Sequence, residues 1–220
     1  MEAKRLFDEV FKVGGKLATR SLYPGTKVYG EEIIKDDDGE YRMWNPYRSK
    51  LAAAIMNGLK EMHIKKGSSV LYLGASTGTT TSHVSDIVGR KGTVYCIEIS
   101  ERSMRDLLKV CAVRENMLPI LKDARDVDSY AQDVGTADVV YMDVSARDQD
   151  DILIKNARLL KKGGYAYVAI KSQSIDVTKA PRDVFNAFLE SVSKEFYILE
   201  KIDIEPYDKM HLFVVLKKRT

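Results

Sequence analysis

Cysteine is scarce: Cys96 and Cys111 are the only two in 220 residues. They show neither Cys-x-x-Cys spacing nor a surrounding set of histidines, which excludes a zinc site and a disulfide framework and predicts two reduced, buried thiols. Long apolar runs are missing too. No stretch reaches the ~18 continuous apolar residues of a membrane-spanning helix, and the opening MEAKRLFDEV is too polar for the apolar core of a secretory signal. A soluble, intracellular protein is expected. A surplus of one charge is also absent: 35 Lys and Arg against 32 Asp and Glu leave a net +3. Any surface for a polyanion must therefore be a local patch, since the whole-molecule field is weak. The short basic runs Lys65-Lys66, Lys161-Lys162 and Lys217-Lys218-Arg219 read as solvated ends of elements. Internal repeats and low-complexity segments are lacking.

What is present divides at about residue 48. Residues 1–48 read as a small β-rich unit, with two strand-like runs flanking Asp36-Asp37-Asp38-Gly39, a hairpin signal. Pro46 then interrupts before RSKLAAAIMNGL, whose apolar repeat suits a helix capped near Asn45 or Ser49. Residues 49–220 form the second unit. In it SVLYLG, GTVYCIEI, LPILKD, ADVVYMDV and YAYVAIKS are candidate strands. Helical stretches are expected over Thr79–Val88, Glu101–Val113, Asp150–Leu160 and Arg182–Lys194. This alternation predicts an α/β fold with a parallel sheet covered on both faces. EFYILEKIDIE and HLFVVLKK are joined by only a short link, so they should pair antiparallel. Seven strands with the last one reversed is the Rossmann-like arrangement of class I methyltransferases.

The turn Gly74-Ala75-Ser76-Thr77-Gly78 leaves the first of these strands, where doubly wound sheets bind ligands. It lacks the middle glycine of a dinucleotide site and the lysine of a P-loop. S-adenosylmethionine asks less of such a turn: close backbone passage and donors for a carboxylate at a helix start. Gly74, Gly78, Thr79 and Thr80 offer that. Glu98 ends the next strand, suited to ribose hydroxyls, and Asp123 in KDAR ends the one after, suited to the adenine amino group. The same turn also spells G-x-S-x-G, and Ser76, Asp143 and His211 fall in the chain order of a serine hydrolase's nucleophile, acid and base. Against that reading, too few strands precede the turn, and no HGGG-type oxyanion segment is present. Asp143 and Lys171 carry charge where hydrophobic strands end, and a lysine there needs water or a carboxylate. With Lys50 and His211 they could converge over a cofactor's methyl group.

The segments EYRMWNPYRSKLAAAI, VLYLGASTGTTTSHVSDIVG, GTVYCIEIS, KDARD, AIKSQSIDVTK and IEPYDKMHLFVV resemble the fibrillarin family of RNA 2'-O-methyltransferases, over nearly the whole chain and in family order. The resemblance is to the short archaeal form, without a Gly/Arg-rich extension, which implies a cytoplasmic protein. It implies a tetrad at Lys50, Asp143, Lys171 and His211. Cofactor contacts are implied at Thr79, Thr80, Glu98, Ile99, Asp123 and Ala124, and along Asp143, Val144, Ser145 and Ala146. Two positions depart from the pattern: Ile99 stands where an aromatic is usual, and Ala146 where Gln is usual. The family acts on rRNA and tRNA within box C/D particles. Expected partners are therefore a guide RNA with its target, a Nop-type scaffold and a kink-turn-binding ribosomal-type protein, with neither DNA nor membrane involved. External guidance agrees with the lack of RNP aromatics, a KH loop or a long basic stripe. The competing readings are another class I methyltransferase acting on protein or a small molecule, and a scaffold that kept the fold but lost activity.

Overall fold

Five short strands open the chain, and turn chemistry explains two of their four connections. The computed structural model describes residues 3–220; Met1 and Glu2, which begin the first unit, lie outside the described residues. Strands β1 (Ala3–Phe7), β2 (Val10–Val13), β3 (Lys16–Arg20), β4 (Ile33–Asp36) and β5 (Gly39–Met43) form one antiparallel sheet in the order β1-β2-β3-β5-β4. The expected hairpin is β4–β5. Its turn is closed by Asp36 Oδ1, which accepts the backbone N–H of Asp38 at 3.0 Å and of Gly39 at 3.1 Å. The sequence reading recognised only that hairpin in a unit of five strands. Gly14 and Gly15, at φ 56° and 83°, make the two-residue turn between β2 and β3, as a Gly-Gly pair favours.

Helix α1 (Lys50–Met56) starts where expected: Ser49 Oγ accepts the Ala52 N–H, and Asn45 caps the single 3-10 turn before it. Then follow β6 (Ser69–Leu73), α2 (Thr79–Val88), β7 (Thr93–Glu98), α3 (Glu101–Cys111), β8 (Met117–Leu121), α4 (Ala131–Val134), β9 (Ala137–Met142), α5 (Gln149–Asn156), β10 (Leu160–Lys171), α6 (Ser172–Ile175), α7 (Pro181–Val192), β11 (Phe196–Asp203) and β12 (His211–Lys218). The second sheet has the order β11-β12-β10-β9-β6-β7-β8. Strands β6 to β10 run parallel, and β12 runs antiparallel to both its neighbours. This is the predicted seven-stranded methyltransferase arrangement. One difference lies at residue 160: the helix expected to run that far ends at Asn156, and β10 begins with Leu160.

The central strands are buried on both faces, which is why they read as unbroken apolar runs. One core layer packs α1, α2 and α3 against Tyr72, Tyr141, Tyr167 and Phe213; the other packs α5 and α7 against Leu71, Val140, Val168 and Val214. Three consecutive alanines, Ala52 to Ala54, are fully buried and let α1 approach the sheet closely. The first sheet joins the first layer through Val10, Leu17 and Trp44. Beside this apolar contact lies a buried ionic seam. Fully buried Arg42 of β5 pairs with Glu31 at 2.6 Å and with Asp86 of α2 at 2.7 Å, while Arg114 meets Asp86 at 2.8 Å. Trp44 stacks on His83 with ring centroids 4.7 Å apart.

Two smaller expectations change. Lys218 is not simply solvated, because its ammonium donates to the carbonyls of Ala157 and Leu160 and closes the end of the α5 segment. Cys96 is buried but Cys111 only half so; both are free thiols. Among the described residues no His, Cys, Asp and Glu cluster could hold a metal, and no helix is long and apolar enough to cross a membrane.

Candidate active site

Strand order reverses between β6 and β9, and the carboxyl ends of neighbouring strands diverge there into a crevice. The resulting cleft measures about 690 Å³. All of the expected cofactor positions line it: Gly74, Thr79, Thr80, Glu98, Ile99, Asp123, Ala124, Asp143, Val144, Ser145 and Ala146. Lys50 and Lys171 line it as well; His211 does not.

The floor is shaped by backbone. Gly74 has φ 83°, and a Cβ on it would come 2.9 Å from the Asp143 carbonyl oxygen, so only glycine lets β6 and β9 meet there. Gly78 caps α2 at φ 96°, also left-handed. Between them Ser76 holds φ 51°, a conformation unusual for a residue with a side chain. Glu98 explains how it is kept: one carboxylate oxygen accepts the Ser76 N–H at 2.7 Å and the other the Ser100 N–H at 2.8 Å. Those bonds fix the carboxylate at the cleft wall and leave lone pairs for a ligand's hydroxyls. Thr79 lines the cleft beside Thr80, whose hydroxyl proton is committed to Ser49 Oγ at 3.0 Å. The Ala124 carbonyl is likewise engaged, by Tyr130 and Asn156. Asp123 lies two residues beyond β8 and is held by the Arg125 backbone N–H at 2.9 Å.

Charge concentrates at the ends of β9 and β10. Lys171 Nζ lies 2.8 Å from Asp143 Oδ1 and donates to the Asp143 carbonyl at 2.8 Å and to Ser145 Oγ at 3.1 Å. The ammonium thus makes two hydrogen bonds and one ion pair here, and Asp143 Oδ1 itself accepts no hydrogen bond among the described residues. Lys50, the first residue of α1, reaches Asp143 Oδ1 from the other side at 3.1 Å. Burial works to lower its pKa, but Asp143 and then Asp208 outweigh that and raise it, so it stays an ammonium. His211 opens β12 opposite Lys171 in register and meets the cluster through Asp208, whose Oδ1 is 2.7 Å from His211 Nδ1 and whose Oδ2 is 3.5 Å from Lys50 Nζ. The tetrad therefore converges, three members directly and the fourth through a carboxylate.

The hydrolase alternative fails on this geometry. Asp143 is taken up by two lysines, His211 by Asp208, and Ser76 makes no side-chain hydrogen bond to either among the described residues.

Two residues of the site were not read from sequence. Asp208 had a weak signal, an acid three positions before His211. Gln149 had none: it is fully buried at the start of α5, accepts the Lys171 N–H at 3.2 Å and donates to the Val144 carbonyl at 2.6 Å. It ties the ends of β9 and β10 together beneath the lysines.

The model of the fibrillarin family matches residues 1–220. The chain belongs to the fibrillarin family. A fibrillarin-like rRNA/tRNA 2'-O-methyltransferase of Methanocaldococcus jannaschii is 50% identical over 222 residues, spanning 98% of this chain and 96% of that one. The crystal structure of Aeropyrum pernix fibrillarin with natively bound S-adenosyl-L-methionine superposes with a TM-score of 0.90 at 40% identity, covering 98% of each chain. A fibrillarin in a fibrillarin/Nop5p complex also gives 0.90, at 35% identity, covering 99% of this chain and 100% of that one. The two positions at which the resemblance implied a departure both line the cleft. Ile99 is 63% exposed over the cleft, an aliphatic surface for a flat ring, while Ala146 brings no polar side chain. Gly74's close passage and the fixed Glu98 carboxylate fit an amino-acid moiety and a ribose, so the residues present suit S-adenosylmethionine.

Proposed function

We propose that this fibrillarin transfers a methyl group from S-adenosylmethionine to a ribose 2'-hydroxyl of rRNA or tRNA. The observation that carries the reading is the Lys50–Asp143–Lys171 cluster on the wall of the cofactor cleft. A carboxyl or amine nucleophile gains little from two ammonium groups. A weakly acidic hydroxyl gains much, because a fixed cation stabilises the alkoxide that develops as it attacks.

Bound S-adenosylmethionine supplies an electrophilic sulfonium methyl. The chain's part is to orient and to balance charge. Glu98 holds the cofactor's ribose, Asp123 its adenine amino group, and the Gly74 turn with Thr79 and Thr80 its amino-acid end. Ile99, Ala124 and the Asp143–Ala146 segment enclose the rest. Lys171, fixed by Asp143 and Ser145, receives the negative charge of the attacking oxygen, and Lys50 holds Asp143 in place from its other side. Alignment of hydroxyl and methyl within bonding distance supplies the larger share of such a rate enhancement.

Target choice lies outside the chain. The full particle contains a guide RNA paired to the target, a Nop-type scaffold and a kink-turn-binding ribosomal-type protein; the fibrillarin/Nop5p complex of a relative supports the scaffold. The test is methyl incorporation from labelled cofactor, with guide RNA and partner proteins, into a target ribose and its 2'-deoxy version. Incorporation into the ribose alone is expected, and equal labelling of both sinks 2'-O chemistry.

A further inference from the structure

Arg125 lines the cleft but has no part in the lysine cluster or in the expected cofactor contacts, and Asp148, its partner, stands just outside the lining. Arg125 belongs to the loop after β8 and Asp148 to the loop between β9 and α5. Strands β8 and β9 are separated in the sheet by β7 and β6, roughly 14 Å at the usual strand spacing, so a contact between their loops spans one end of the cleft. The first loop carries Asp123 and Ala124, the second Asp143 to Ala146. Arg125 Nε and Nη2 donate to the two Asp148 oxygens at 2.8 and 2.7 Å, a two-toothed pair. These hydrogen bonds hold the Asp148 carboxyl below the usual carboxylate range, so the pair is intact at neutral pH. The third nitrogen, Nη1, lies 3.4 and 3.3 Å from the Asp123 oxygens, and the Arg125 backbone N–H reaches Asp123 Oδ1 at 2.9 Å. On the buried side, Tyr130 and Asn156 grip the Ala124 carbonyl. Side chains 44% and 38% exposed add little to folding by pairing. What this geometry does is fix where the guanidinium stands, and with it the Asp123 carboxylate.

We infer that Arg125, anchored by Asp148, is the positioning residue for adenine recognition: it holds the Asp123 carboxylate as a fixed acceptor for the 6-amino group of the base, and so makes the cleft select an adenosyl over an inosyl cofactor. A carboxylate only accepts hydrogen bonds. Against a 6-oxo group it faces a second acceptor, and two unpaired oxygens turned toward each other in a cleft are costly. A loosely held carboxylate escapes that cost by turning to the N1–H of the inosyl base, whereas one gripped by Arg125 does not. Selectivity therefore depends on the grip and not on Asp123 alone. The inference concerns the cofactor and deepens the methyltransferase reading, on which it rests.

The test is calorimetric titration of the free chain with S-adenosylhomocysteine and with S-inosylhomocysteine, which carries a 6-oxo group in place of the 6-amino group. Neither measurement needs RNA or methyl transfer. The unaltered chain should prefer the adenosyl compound by about 100-fold or more. Arg125→Ala and Asp148→Ala should each weaken adenosyl binding about tenfold and leave inosyl binding within about twofold, with the thermal transition of the unliganded chain unchanged. Asp148→Glu, which keeps the carboxylate, should restore most of the preference. In an Asp123→Ala background, Asp148→Ala should cost nothing further, because it acts through Asp123. An unchanged preference in either alanine variant, whether both compounds weaken equally or neither does, overturns the inference. So does a further loss of about fivefold in the double variant. Failure of the unaltered chain to bind S-adenosylhomocysteine would overturn the cofactor reading together with the inference, whereas absence of methyl transfer to RNA would leave the titration to decide the role of Arg125.

Discussion

At the scale of single residues, the site depends on positions where the obvious alternative side chain is excluded by a distance. Lys171→Ala removes the group bonded at once to Asp143 and Ser145, and Asp143→Ala leaves two ammonium groups facing each other. Each should lower methyl transfer by ~100-fold or more without loss of the native circular dichroism spectrum; near-normal turnover by either would remove the cluster from the chemistry. Gly74→Ala puts a Cβ 2.9 Å from a carbonyl oxygen in a left-handed conformation, a backbone cost of ~1–2 kcal/mol. Titration calorimetry should show cofactor binding weakened by about tenfold or more. Ser76→Ala, by contrast, keeps the backbone bond to Glu98 and should leave activity within about twofold; a nucleophile would tolerate no such change. Glu98, Asp123, Asp143 and Lys171 were legible in sequence because charge at the end of an apolar run is conspicuous. Asp208 and Gln149 were not, because an acid in a polar loop and a glutamine in a helix look ordinary until their partners are known.

At the scale of elements, the two sheets differed in legibility for a physical reason. Strands β6, β7 and β9 and the second half of β10 are covered on both faces and appear as apolar runs that no solvent-facing pattern interrupts. Strands β1 to β3 are short, and β1 is largely exposed, so their apolar content is too small to stand out. What holds the first sheet to α2 is also partly invisible in sequence: Arg42, Glu31, Asp86 and Arg114 are far apart along the chain and form one sealed ionic seam. Arg42→Met strands Glu31 in the interior and leaves Asp86 with Arg114 alone. Removing one partner of a buried pair costs ~3–5 kcal/mol, so the urea midpoint should fall steeply. A loss under ~1 kcal/mol would mean that the seam stays wet or that Arg114 suffices.

At the scale of the molecule, the seam ties stability to pH through His83. Burial first, then Arg42 and Arg114, push its pKa well below the ordinary value of 6.5; burial also lowers that of His63. The folded chain therefore binds fewer protons than the unfolded chain once pH drops below about 6.5, and stability rises with pH there. Thermal transitions should fall progressively from pH 6.5 to 5, before the carboxylates titrate. His83→Gln should flatten that slope even if it lowers the transition at pH 7, and an unchanged slope would show that His83 does not set it. The amino-acid sequence by itself determined the layer architecture, the reversed last strand and the cofactor turn. Periodicity and glycine placement act over a few residues, and any chain obeying them must bury those faces. It also identified four tetrad residues by resemblance. Only the tertiary structure decided which carboxylate pairs with which side chain. Lys50, Asp143, Lys171, Asp208 and His211 lie on different elements, and their pairing depends on where the ends of α1, β9, β10 and β12 meet, a relation that no local pattern encodes.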